Sequence, residues 1–302
     1  MSEERREFAC EFRGVNYTYN KGIAYEKHAL CGVTLGIERG VVTGIIGSTG
    51  SGKSTLIKML NGLLKPDSGE VIVDGENIWD KKVKIRDVRF KVGLVMQYPE
   101  YQLFDETVEG DISFGPKNMG VPANELHDRV VEASRFSGLD EELLPKSPFD
   151  ISGGQKRRAA LAGVIAMRPS ILVLDEPAAG LDPSGRNEIL GRIKSYQRKS
   201  GNTVVIVSHS MEDVAKYCDR LAVLSSGGIV YDDTTENVFR HGDELRNIGL
   251  DVPEITKVAS ELSALGVDIG DGIYTVKYAS KLIAEKYGLS QIPDDYENKV
   301  KR

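Results

Sequence analysis

A glycine-rich segment, residues 47–54 with the sequence GSTGSGKS, constrains the fold of this chain more than any other segment. It matches the pattern GxxxxGK(S/T), in which backbone N–H groups turn inward around a phosphate group and a lysine reaches its oxygens. A short apolar run, residues 41–46, precedes the segment, and apolar residues at helical spacing follow it. A buried strand, a phosphate-binding loop and an amphipathic helix are therefore expected in this order.

The residue types of this loop suit a bound nucleotide. Lys53 would reach the β- and γ-phosphates, the hydroxyl of Ser54 would bind Mg²⁺, and the N-terminus of the following helix would add positive charge. The alternative is a glycine-rich turn with a solvated lysine, and the flanking strand and helix argue against it. The candidate nucleotide-binding residues of the loop are Gly47, Ser48, Thr49, Gly50, Ser51, Gly52, Lys53, Ser54 and Thr55.

Composition and charge limit the classes of protein to which the chain can belong. Of its 302 residues, 40% are hydrophobic and 28% are charged, which is typical of a globular protein of about two domains. The 45 acidic and 39 basic residues give a formal charge of −6. This balance argues against a nucleic-acid coat protein, and we expect no nucleic-acid partner.

The sequence gives no sign of membrane insertion or secretion. Its apolar stretches are shorter than the roughly 20 residues needed to span a bilayer, and its charged first residues do not resemble a signal peptide. The three cysteines, Cys10, Cys31 and Cys218, are widely separated, which fits a reducing compartment rather than a disulfide framework. We therefore expect a soluble intracellular chain that cannot cross a membrane by itself.

The apolar pattern predicts an α/β core that carries a helical insertion and an appendage. Strands are expected at residues 8–13, 15–19, 30–37, 41–46, 171–174 and 203–207. Helical patterns follow the last three strands, which predicts βα units in a doubly wound sheet. The strand signal fades between about residues 98 and 151, and two amphipathic helical patterns, 253–265 and 277–287, lie near the C-terminus.

Two adjacent carboxylates end one of the apolar runs. Asp175 and Glu176 follow ILVL at 171–174, and such a pair at the edge of a buried strand is costly unless a cation or hydrogen bonds occupy it. Beside a phosphate-binding loop, Asp175 would organise Mg²⁺ and Glu176 would polarise the attacking water. Considered alone, the pair is explained equally well as a helix cap followed by a solvated glutamate.

Residues 152–155, SGGQ, form a second candidate anion site, which we call the signature segment. A hydroxyl and two glycines start a run rich in helix formers, and helix N-termini bind anions. One triphosphate does not need two such cradles, so we infer that this one faces a nucleotide held by another subunit. Considered alone, the segment is better explained as an ordinary helix start, because serine and glycine are common cap residues.

The order of these motifs along the chain resembles that of the ATPase subunits of ATP-binding-cassette (ABC) transporters. The family usually has leucine at the position of Ile151. The resemblance covers about residues 8–240 and rests on the following segments: residues 47–54; Gln97 after a strand; ISGGQ at 151–155; ILVLDE at 171–176; Gly180, Leu181 and Asp182; and Ser208 and His209.

The resemblance implies an α/β cassette of the P-loop NTPase class that binds ATP and Mg²⁺. Its expected parts are a mixed core sheet, an N-terminal antiparallel β subdomain, a helical subdomain at about residues 98–165 and a small C-terminal helical appendage. The ATPase domain is expected over residues 7–235. Residues 236–302 are expected to form the appendage and to contribute dimer contacts.

The resemblance also implies roles in ATP hydrolysis. Glu176 is the general base, Gln97 touches Mg²⁺ or the attacking water while it senses the membrane partner, and His209 contacts the γ-phosphate. Tyr19 stacks on the adenine, although it could also simply alternate with Tyr17 along a strand. His209 could instead be a capped, solvated histidine, and Gln97 could bond only to backbone at a strand end.

Two further sets of residues follow from the resemblance. Ser54, Gln97 and Asp175 are the expected Mg²⁺ ligands. Asp182 and the signature segment are expected to act across a head-to-tail dimer, in which a nucleotide bound by one subunit is sealed by its partner. The residues of the signature segment are Ser152, Gly153, Gly154 and Gln155.

Two segments narrow the resemblance to the ATPases of energy-coupling factor (ECF) transporters. One is QYPEYQLFDETV at 97–108 with DISFGPKN at 111–118, and the other is VPEITK at 252–257. The second segment fits in particular the second of the two paralogous ATPase subunits. By this resemblance, the helix at residues 99–104 forms part of a groove that receives coupling helices. The alternative is a surface helix with incidental aromatic residues.

The narrower resemblance implies an assembly and a location. The partners are a sister ATPase subunit, or a second copy of this chain, together with a transmembrane coupling subunit and a substrate-binding membrane subunit. The cargo is expected to be vitamins or transition-metal ions. The chain would then be a peripheral protein on the cytoplasmic face of the cell membrane.

Three alternatives stand beside this hypothesis. The first is the ATPase of a conventional ABC importer, which works as a homodimer with a permease. The second is a mechanical ABC ATPase acting on DNA or ribosomes, which the single cassette, the acidic charge and the short separation of Gln97 and Ser152 argue against. The third is a silent nucleotide-binding subunit, which the intact Asp175, Glu176 and His209 argue against.

Overall fold

Two β-sheets organise the part of the chain that the computed structural model describes, residues 7–267, 269–270 and 272–288. The strands are β1 (Phe8–Tyr19), β2 (Lys27–Glu38), β3 (Val42–Gly47), β4 (Ser68–Val73), β5 (Glu76–Asn77), β6 (Val92–Val95), β7 (Ile171–Asp175), β8 (Thr203–Val207), β9 (Arg220–Ser225) and β10 (Gly228–Thr234). The helices are α1 (Lys53–Leu60), α2 (Ile85–Lys91), α3 (Val108–Asn118), α4 (Ala123–Ser137), α5 (Gly153–Ile165), α6 (Pro183–Ser200), α7 (Met211–Tyr217), α8 (Thr235–Arg240), α9 (Gly242–Asn247), α10 (Glu254–Ala264) and α11 (Val276–Tyr287). Short 3-10 helices lie at Pro99–Gln102, Glu141–Leu143 and Pro148–Asp150.

The larger sheet has six strands in the order β10-β9-β3-β8-β7-β6. Its inner pairs are parallel, whereas β10 is antiparallel to β9, so the sheet is mixed, as expected from the resemblance. Every residue of β3, β7 and β8 is buried. Strands covered on both faces need apolar residues at every position, which explains why they appear in the sequence as nearly continuous apolar runs.

The register of the parallel strands brings several loops to one edge of this sheet. Ile45 of β3 is paired with Val207 of β8, and Val207 is also paired with Asp175 of β7. Because the carboxyl ends of parallel strands lie at the same edge, the residues that follow Gly47, Asp175 and Val207 are close in space. The loop that holds Gln97 reaches the same edge, since β6 is parallel to β7.

The smaller sheet is antiparallel, with the order β2-β1-β4-β5. The two strands expected at residues 8–13 and 15–19 form one continuous strand, β1. Gly14 has a φ of 59°, and the register with β2 shifts between Phe12 and Val15. A glycine with positive φ lets the strand bulge and continue where the sequence predicted a break.

Helices fill the chain between β6 and β7, as the loss of strand signal predicted. The helices α3, α4 and α5 pack against one another, and the helix at Pro99–Gln102 packs against α5. Their inward residues include Ile112, Val130, Ala133 and Leu161. These residues are buried in one core cluster together with side chains from one face of the large sheet, such as Leu174 of β7. This segment is therefore a lobe attached to the sheet edge that carries the site.

The C-terminal helices divide between two apolar clusters. Phe239 and Val252 are buried in the large core cluster, whereas Ile269, Ile273 and Ala279 form a small cluster of their own. The helices α10 and α11 lie where the amphipathic patterns at 253–265 and 277–287 were expected. None of the described helices is both long enough and apolar enough to cross a membrane.

Candidate active site

The loop between β3 and α1 depends on glycines in conformations that other residues rarely adopt. Gly50 and Gly52 have φ values of 83° and 111°, in the region that disfavours any side chain. A Cβ atom on Gly52 would also lie 2.5 Å from the carbonyl oxygen of Ala29. Backbone angle and close approach together therefore require glycine here, which leaves the N–H groups of the loop unobstructed.

The side chain of Lys53 folds back over the glycine-rich loop. Its Nζ donates hydrogen bonds to the carbonyl oxygens of Gly47 at 2.6 Å and Ser48 at 3.1 Å. Burial lowers the pKa of Lys53 from its ordinary value, and the negative charges of Glu176 and Asp175 oppose this shift. The ammonium group is thus held between the loop and the two carboxylates, where a phosphate group would meet it.

A buried carboxylate and a hydroxyl form a pair beside the loop. Asp175 ends β7 and is only 5% exposed. Burial raises the pKa of Asp175, and a hydrogen bond from the Ser54 hydroxyl opposes this shift. Hard oxygen atoms of this kind suit Mg²⁺, which usually takes one or two protein ligands and completes its shell with phosphate oxygens and water. The pair fits a magnesium ion on these grounds.

The donor set is small. Among the residues with described positions, no group of three or more histidine, cysteine or carboxylate side chains is placed to hold a metal ion. An ion at Ser54 and Asp175 would therefore need oxygen atoms from a bound phosphate group or from water. Ser51 adds a further polar group, since its Oγ is buried and has no hydrogen-bond partner in the described structure.

The second carboxylate faces a histidine. Nδ1 of His209 lies 2.9 Å from Oε2 of Glu176, and the Glu176 backbone N–H donates to the Val207 carbonyl at 3.0 Å. Glu176 has a φ of 51°, a conformation that persists only where surrounding contacts hold it. Chemically, the pair combines a proton acceptor with a hydrogen-bond donor at the open edge of the sheet.

Tyr19 lies in the same pocket as the loop. Its hydroxyl is 3.2 Å from Oγ1 of Thr55, and its ring packs edge-on against Tyr17 with centroids 4.9 Å apart. The pocket is lined by Tyr19, Lys27, Ala29, Gly50, Gly52, Lys53, Ser54 and Thr55. Tyr19 therefore does more than alternate along a strand, because its half-buried ring forms one wall of the loop pocket.

Sequence reasoning missed Lys27 in this pocket. Lys27 is paired with Tyr19 across β1 and β2, and a Cβ atom on Gly50 would lie 3.5 Å from the Lys27 Nζ. A second ammonium group thus stands beside the glycine-rich loop. No local motif marks this lysine, since its position depends on the pairing of two strands.

The signature segment lies apart from this pocket. Ser152 and Gln155 form a reciprocal cap of α5: Oγ of Ser152 accepts from the Gln155 N–H at 3.3 Å, and Oε1 of Gln155 accepts from the Ser152 N–H at 2.8 Å. The segment therefore starts a helix, as the alternative interpretation stated. Its hydrogen bonds within the described chain stay at this helix end and do not reach the loop at 47–54.

The glycines of the signature segment lack a reason within the chain. Gly153 and Gly154 are exposed and have no positive φ. A Cβ atom on either residue would meet no described atom within 4 Å. Neither the backbone conformation nor the internal packing therefore requires glycine at these two positions.

Two other expected site residues are exposed. Oδ1 of Asp182 accepts a hydrogen bond from the Gly185 N–H at 2.7 Å and so caps α6. Gln97 lies in the bend after β6, and its side chain makes no hydrogen bond with any residue whose position is described. The backbone-bonded alternative for Gln97 is therefore absent from this structure.

A group of exposed aromatic side chains follows Gln97. Tyr98 precedes the helix at Pro99–Gln102 and Tyr101 lies within it, with ring centroids 6.4 Å apart, and Phe104 packs edge-on against Phe114 at 5.0 Å. All four are exposed, Tyr101 by 84%. We call these four residues the aromatic patch. Several exposed aromatic side chains within one short segment are typical of an interaction site.

Comparison with known sequences gives a consistent picture. Residues 30–179 match the family profile described as ABC transporter. The chain is 51% identical over 278 residues to the energy-coupling factor transporter ATP-binding protein EcfA2 of Clostridium perfringens, covering 92% of this chain and 98% of that protein. The protein of the same name from Geobacillus kaustophilus is 44% identical over 286 residues, covering 94% and 99%.

Solved structures agree with these relatives. The structure of cbiO1 from Clostridium perfringens, described as part of the ABC transporter complex cbiONQ, is 38% identical with a TM-score of 0.71 and covers 84% of this chain and 99% of that chain. A dimeric structure of the ATP-binding cassette MJ0796, bound to ADP and Pi after hydrolysis, is 27% identical with a TM-score of 0.67, covering 75% and 98%.

Proposed function

This chain belongs to the ABC transporter family, among its energy-coupling factor transporter ATP-binding proteins, and we propose that it hydrolyses ATP to drive an uptake transporter for vitamins or metal ions. The observation that carries the proposal is the meeting of Lys53, Asp175, Glu176 and His209 at one edge of the core sheet. A phosphate cradle, a buried carboxylate beside a hydroxyl, and a carboxylate paired with histidine are the groups that phosphoryl transfer to water requires.

ATP would bind in the pocket formed by the loop and β1. The loop N–H groups and Lys53 would hold the β- and γ-phosphates, and the ring of Tyr19 would stack on the adenine. Mg²⁺ bound at Ser54, Asp175 and Gln97 would neutralise charge on the phosphate oxygens. The buried carboxylate of Asp175 supports this assignment, because burial leaves its charge incompletely compensated by the chain.

Hydrolysis would use the second carboxylate and its histidine. Glu176 would accept a proton from the attacking water, and His209 would donate a hydrogen bond to a γ-phosphate oxygen. The short contact between the two side chains, 2.9 Å, supports this division of roles, since it orients both groups at the same point. Stabilising the charge that develops on the phosphate oxygens is the main task left to the protein.

The site would be completed by another ATPase subunit. The exposed Gly153 and Gly154 leave room for a close approach by a group outside this chain, and Ser152 presents the capped N-terminus of α5 beside them. A phosphate group held by a partner subunit has the charge that a helix N-terminus attracts. Asp182 would contribute to the same head-to-tail interface, with a sister ATPase or a second copy of this chain as the partner.

The aromatic patch would receive the membrane subunits. It begins directly after Gln97 and lies on the helical lobe, so a protein bound there would be connected to the catalytic edge through the backbone of residues 95–98. We assign it to the cytoplasmic segments of a transmembrane coupling subunit, which acts together with a substrate-binding membrane subunit. The chain would accordingly lie on the cytoplasmic face of the cell membrane.

The test uses the complex isolated through an affinity tag on this chain and reconstituted in lipid vesicles. ATP turnover is compared between wild type and Glu176→Gln, both with the sister site disabled, and with Glu188→Gln as a surface control. We expect Glu176→Gln to lower turnover by about 100-fold or more, since general acid–base catalysis contributes at least that much. Turnover near wild type in Glu176→Gln would contradict the role of Glu176.

The proteins recovered with the tagged chain test the assembly. We expect a sister ATPase and two kinds of membrane subunit in the purified complex. Recovery of a symmetric homodimer with a permease and a separate binding protein would instead identify the ATPase of a conventional importer. Tight, salt-sensitive binding of nucleic acid would contradict the transport function altogether.

A further inference from the structure

Arg157, in the first turns of α5, joins three segments that are distant in sequence. Its Nε donates to Oε2 of Glu100 at 3.2 Å and its Nη2 donates to Oε1 of the same carboxylate at 3.0 Å. Its Nη1 donates to the carbonyl oxygen of Ala179 at 2.6 Å. The arginine is only 7% exposed. One guanidinium therefore ties α5 both to the helix at Pro99–Gln102 and to the loop after β7.

The two partners of Arg157, Glu100 and Ala179, lie in different parts of the site, and we call the three residues together the junction. Glu100 is the neighbour of Tyr101 in the aromatic patch. Ala179 lies in the turn between Glu176 and Asp182, where its own N–H donates to the Glu176 carbonyl at 3.1 Å. The junction thus connects the exposed aromatic surface directly with the turn that follows the candidate general base.

The geometry makes this connection stiff. Two parallel hydrogen bonds between guanidinium and carboxylate fix both distance and orientation, and desolvation strengthens them. The side chains of Arg157 and Glu100 are 8% and 17% exposed, so neither charge has bulk water as an alternative partner. A displacement of Glu100 must therefore move Arg157 or break a buried ion pair, which is costly.

The next residue of the helix provides a contrast. Arg158 donates to Oε2 of Glu188 at 2.8 Å and to the carbonyl oxygen of Gly138 at 2.9 Å. It has the same kinds of partner as Arg157, but its side chain and that of Glu188 are 35% and 39% exposed. This pair joins α5 to α6 and α4 and touches neither the aromatic patch nor the turn at 176–182.

We propose that Arg157 is a positioning residue that transmits movement of the aromatic patch to the turn between Glu176 and Asp182. The inference rests on the proposed function for the meaning of the patch, but the mechanical link can be tested without it. When a partner protein shifts the helix at Pro99–Gln102, Glu100 moves with it and displaces Arg157. The hydrogen bond from Arg157 to the Ala179 carbonyl then changes the position of the turn. The hydrogen bonds of Arg157 within the described chain go to Glu100 and Ala179 and to none of the expected catalytic or nucleotide-binding residues.

The first experiment measures hydrogen exchange in the isolated chain. We expect Glu100→Gln to speed exchange of the Ala179 and Leu181 amides by about tenfold, within the range found for mutations along coupled networks. The matched control is Glu188→Gln, which should leave these two amides unchanged. Equal exchange at Ala179 and Leu181 in both variants, at equal global stability, would overturn the link.

The second experiment measures how far the membrane subunits stimulate ATP turnover in the reconstituted complex. We expect Glu100→Gln and Arg157→Lys to lower the stimulation by about tenfold, whereas Glu188→Gln and Arg158→Lys should keep it. A merely structural role would lower stability without changing the ratio of stimulated to basal turnover, and an unchanged ratio would overturn the proposal. Absence of turnover in the wild type would refute the proposed function instead, and the exchange experiment would still decide the link.

Discussion

Nδ1 of His209 lies 2.9 Å from Oε2 of Glu176, although the two residues follow different strands of the core sheet. The Glu176 side chain is 13% exposed and the His209 side chain is 73% exposed. The carboxylate is therefore held at the sheet edge, with the histidine on its solvent side. A ligand that enters the site must meet both groups together.

This relationship predicts that the two residues act as a unit. We expect His209→Ala and Glu176→Gln each to lower ATP turnover by about 100-fold or more, and the double variant to be little slower than Glu176→Gln alone. Single-turnover hydrolysis by the complex at saturating ATP provides the measurement. His127→Ala is the control, because His127 makes an equally short contact, 2.8 Å to Glu109, on the exposed surface. Multiplicative losses in the double variant would argue for independent roles.

The signature glycines predict opposite effects on stability and activity. In an isolated chain, Gly154→Ala should raise the free energy of unfolding by up to about 1 kcal/mol, since alanine favours helix and the added Cβ meets open space. In the assembled complex the same change should lower ATP turnover at least about tenfold, because the Cβ would block a close approach. Gly191→Ala is the control, because a Cβ atom at this helical position also meets open space. It should raise the free energy of unfolding in the same way and leave ATP turnover unchanged. Denaturant unfolding and turnover assays compare the two, and full activity of Gly154→Ala would refute the partner contact.

Removal of magnesium should separate two contributions to nucleotide binding. At ATP concentrations about 100 times the dissociation constant, binding should stabilise the wild-type chain by roughly 2.7 kcal/mol. Asp175→Asn should lose only the part of this stabilisation that a chelator removes from the wild type. Lys53→Ala should lose nearly all of the stabilisation by ATP. Thermal unfolding with ATP, with and without chelator, measures both. A full magnesium-dependent shift in Asp175→Asn would place the ion elsewhere.

The aromatic patch should matter for assembly and not for nucleotide binding. We expect Tyr101→Ala with Phe104→Ala to lower recovery of membrane subunits with the tagged chain by about tenfold or more, because buried aromatic residues dominate interface energies. ATP binding by the isolated chain should remain at the wild-type level. Val230→Ala removes exposed apolar surface from β10 and is the control. Equal recovery of membrane subunits by all variants would move the docking surface away from this patch.

Thiol reactivity should distinguish the three cysteines. Cys10 and Cys218 are buried, and burial raises the pKa of both thiols above the ordinary value, so we expect both to stay protonated and shielded from reagents at pH 8. Cys31 is exposed. Iodoacetamide should therefore label Cys31 alone in the native chain and all three residues after unfolding, as measured by mass spectrometry. Labelling of Cys218 in the native chain would contradict the packing of α7 against the sheet.

Local patterns were sufficient to predict the parts of the site that are continuous in sequence. The loop at 47–55 and the pair Asp175 and Glu176 each combine an apolar run with a fixed set of polar residues, and such patterns are set by local backbone geometry. The meeting of these parts at one edge also followed from the sequence, because parallel strands align their carboxyl ends.

Features that depend on distant pairing were not predictable in the same way. Lys27 enters the pocket because β1 and β2 are paired at Tyr19, and no local pattern distinguishes it from a surface lysine. The contacts of Arg157 with Glu100 span 57 positions in the sequence. The sequence does not show how the helices of the lobe pack, and without that packing it does not indicate which of the neighbouring arginines, Arg157 or Arg158, is buried.

The unfilled space around Gly153 and Gly154 has a consequence for engineering this protein. Selection of the isolated chain for heat resistance would favour larger residues at both positions, since nothing in the described chain opposes them. We expect such variants to resist unfolding as isolated chains and to be defective in the assembled transporter. If the proposed partner contact holds, stabilised versions of this subunit should be selected from complexes that still turn over ATP, because selection of the isolated chain does not report on that contact.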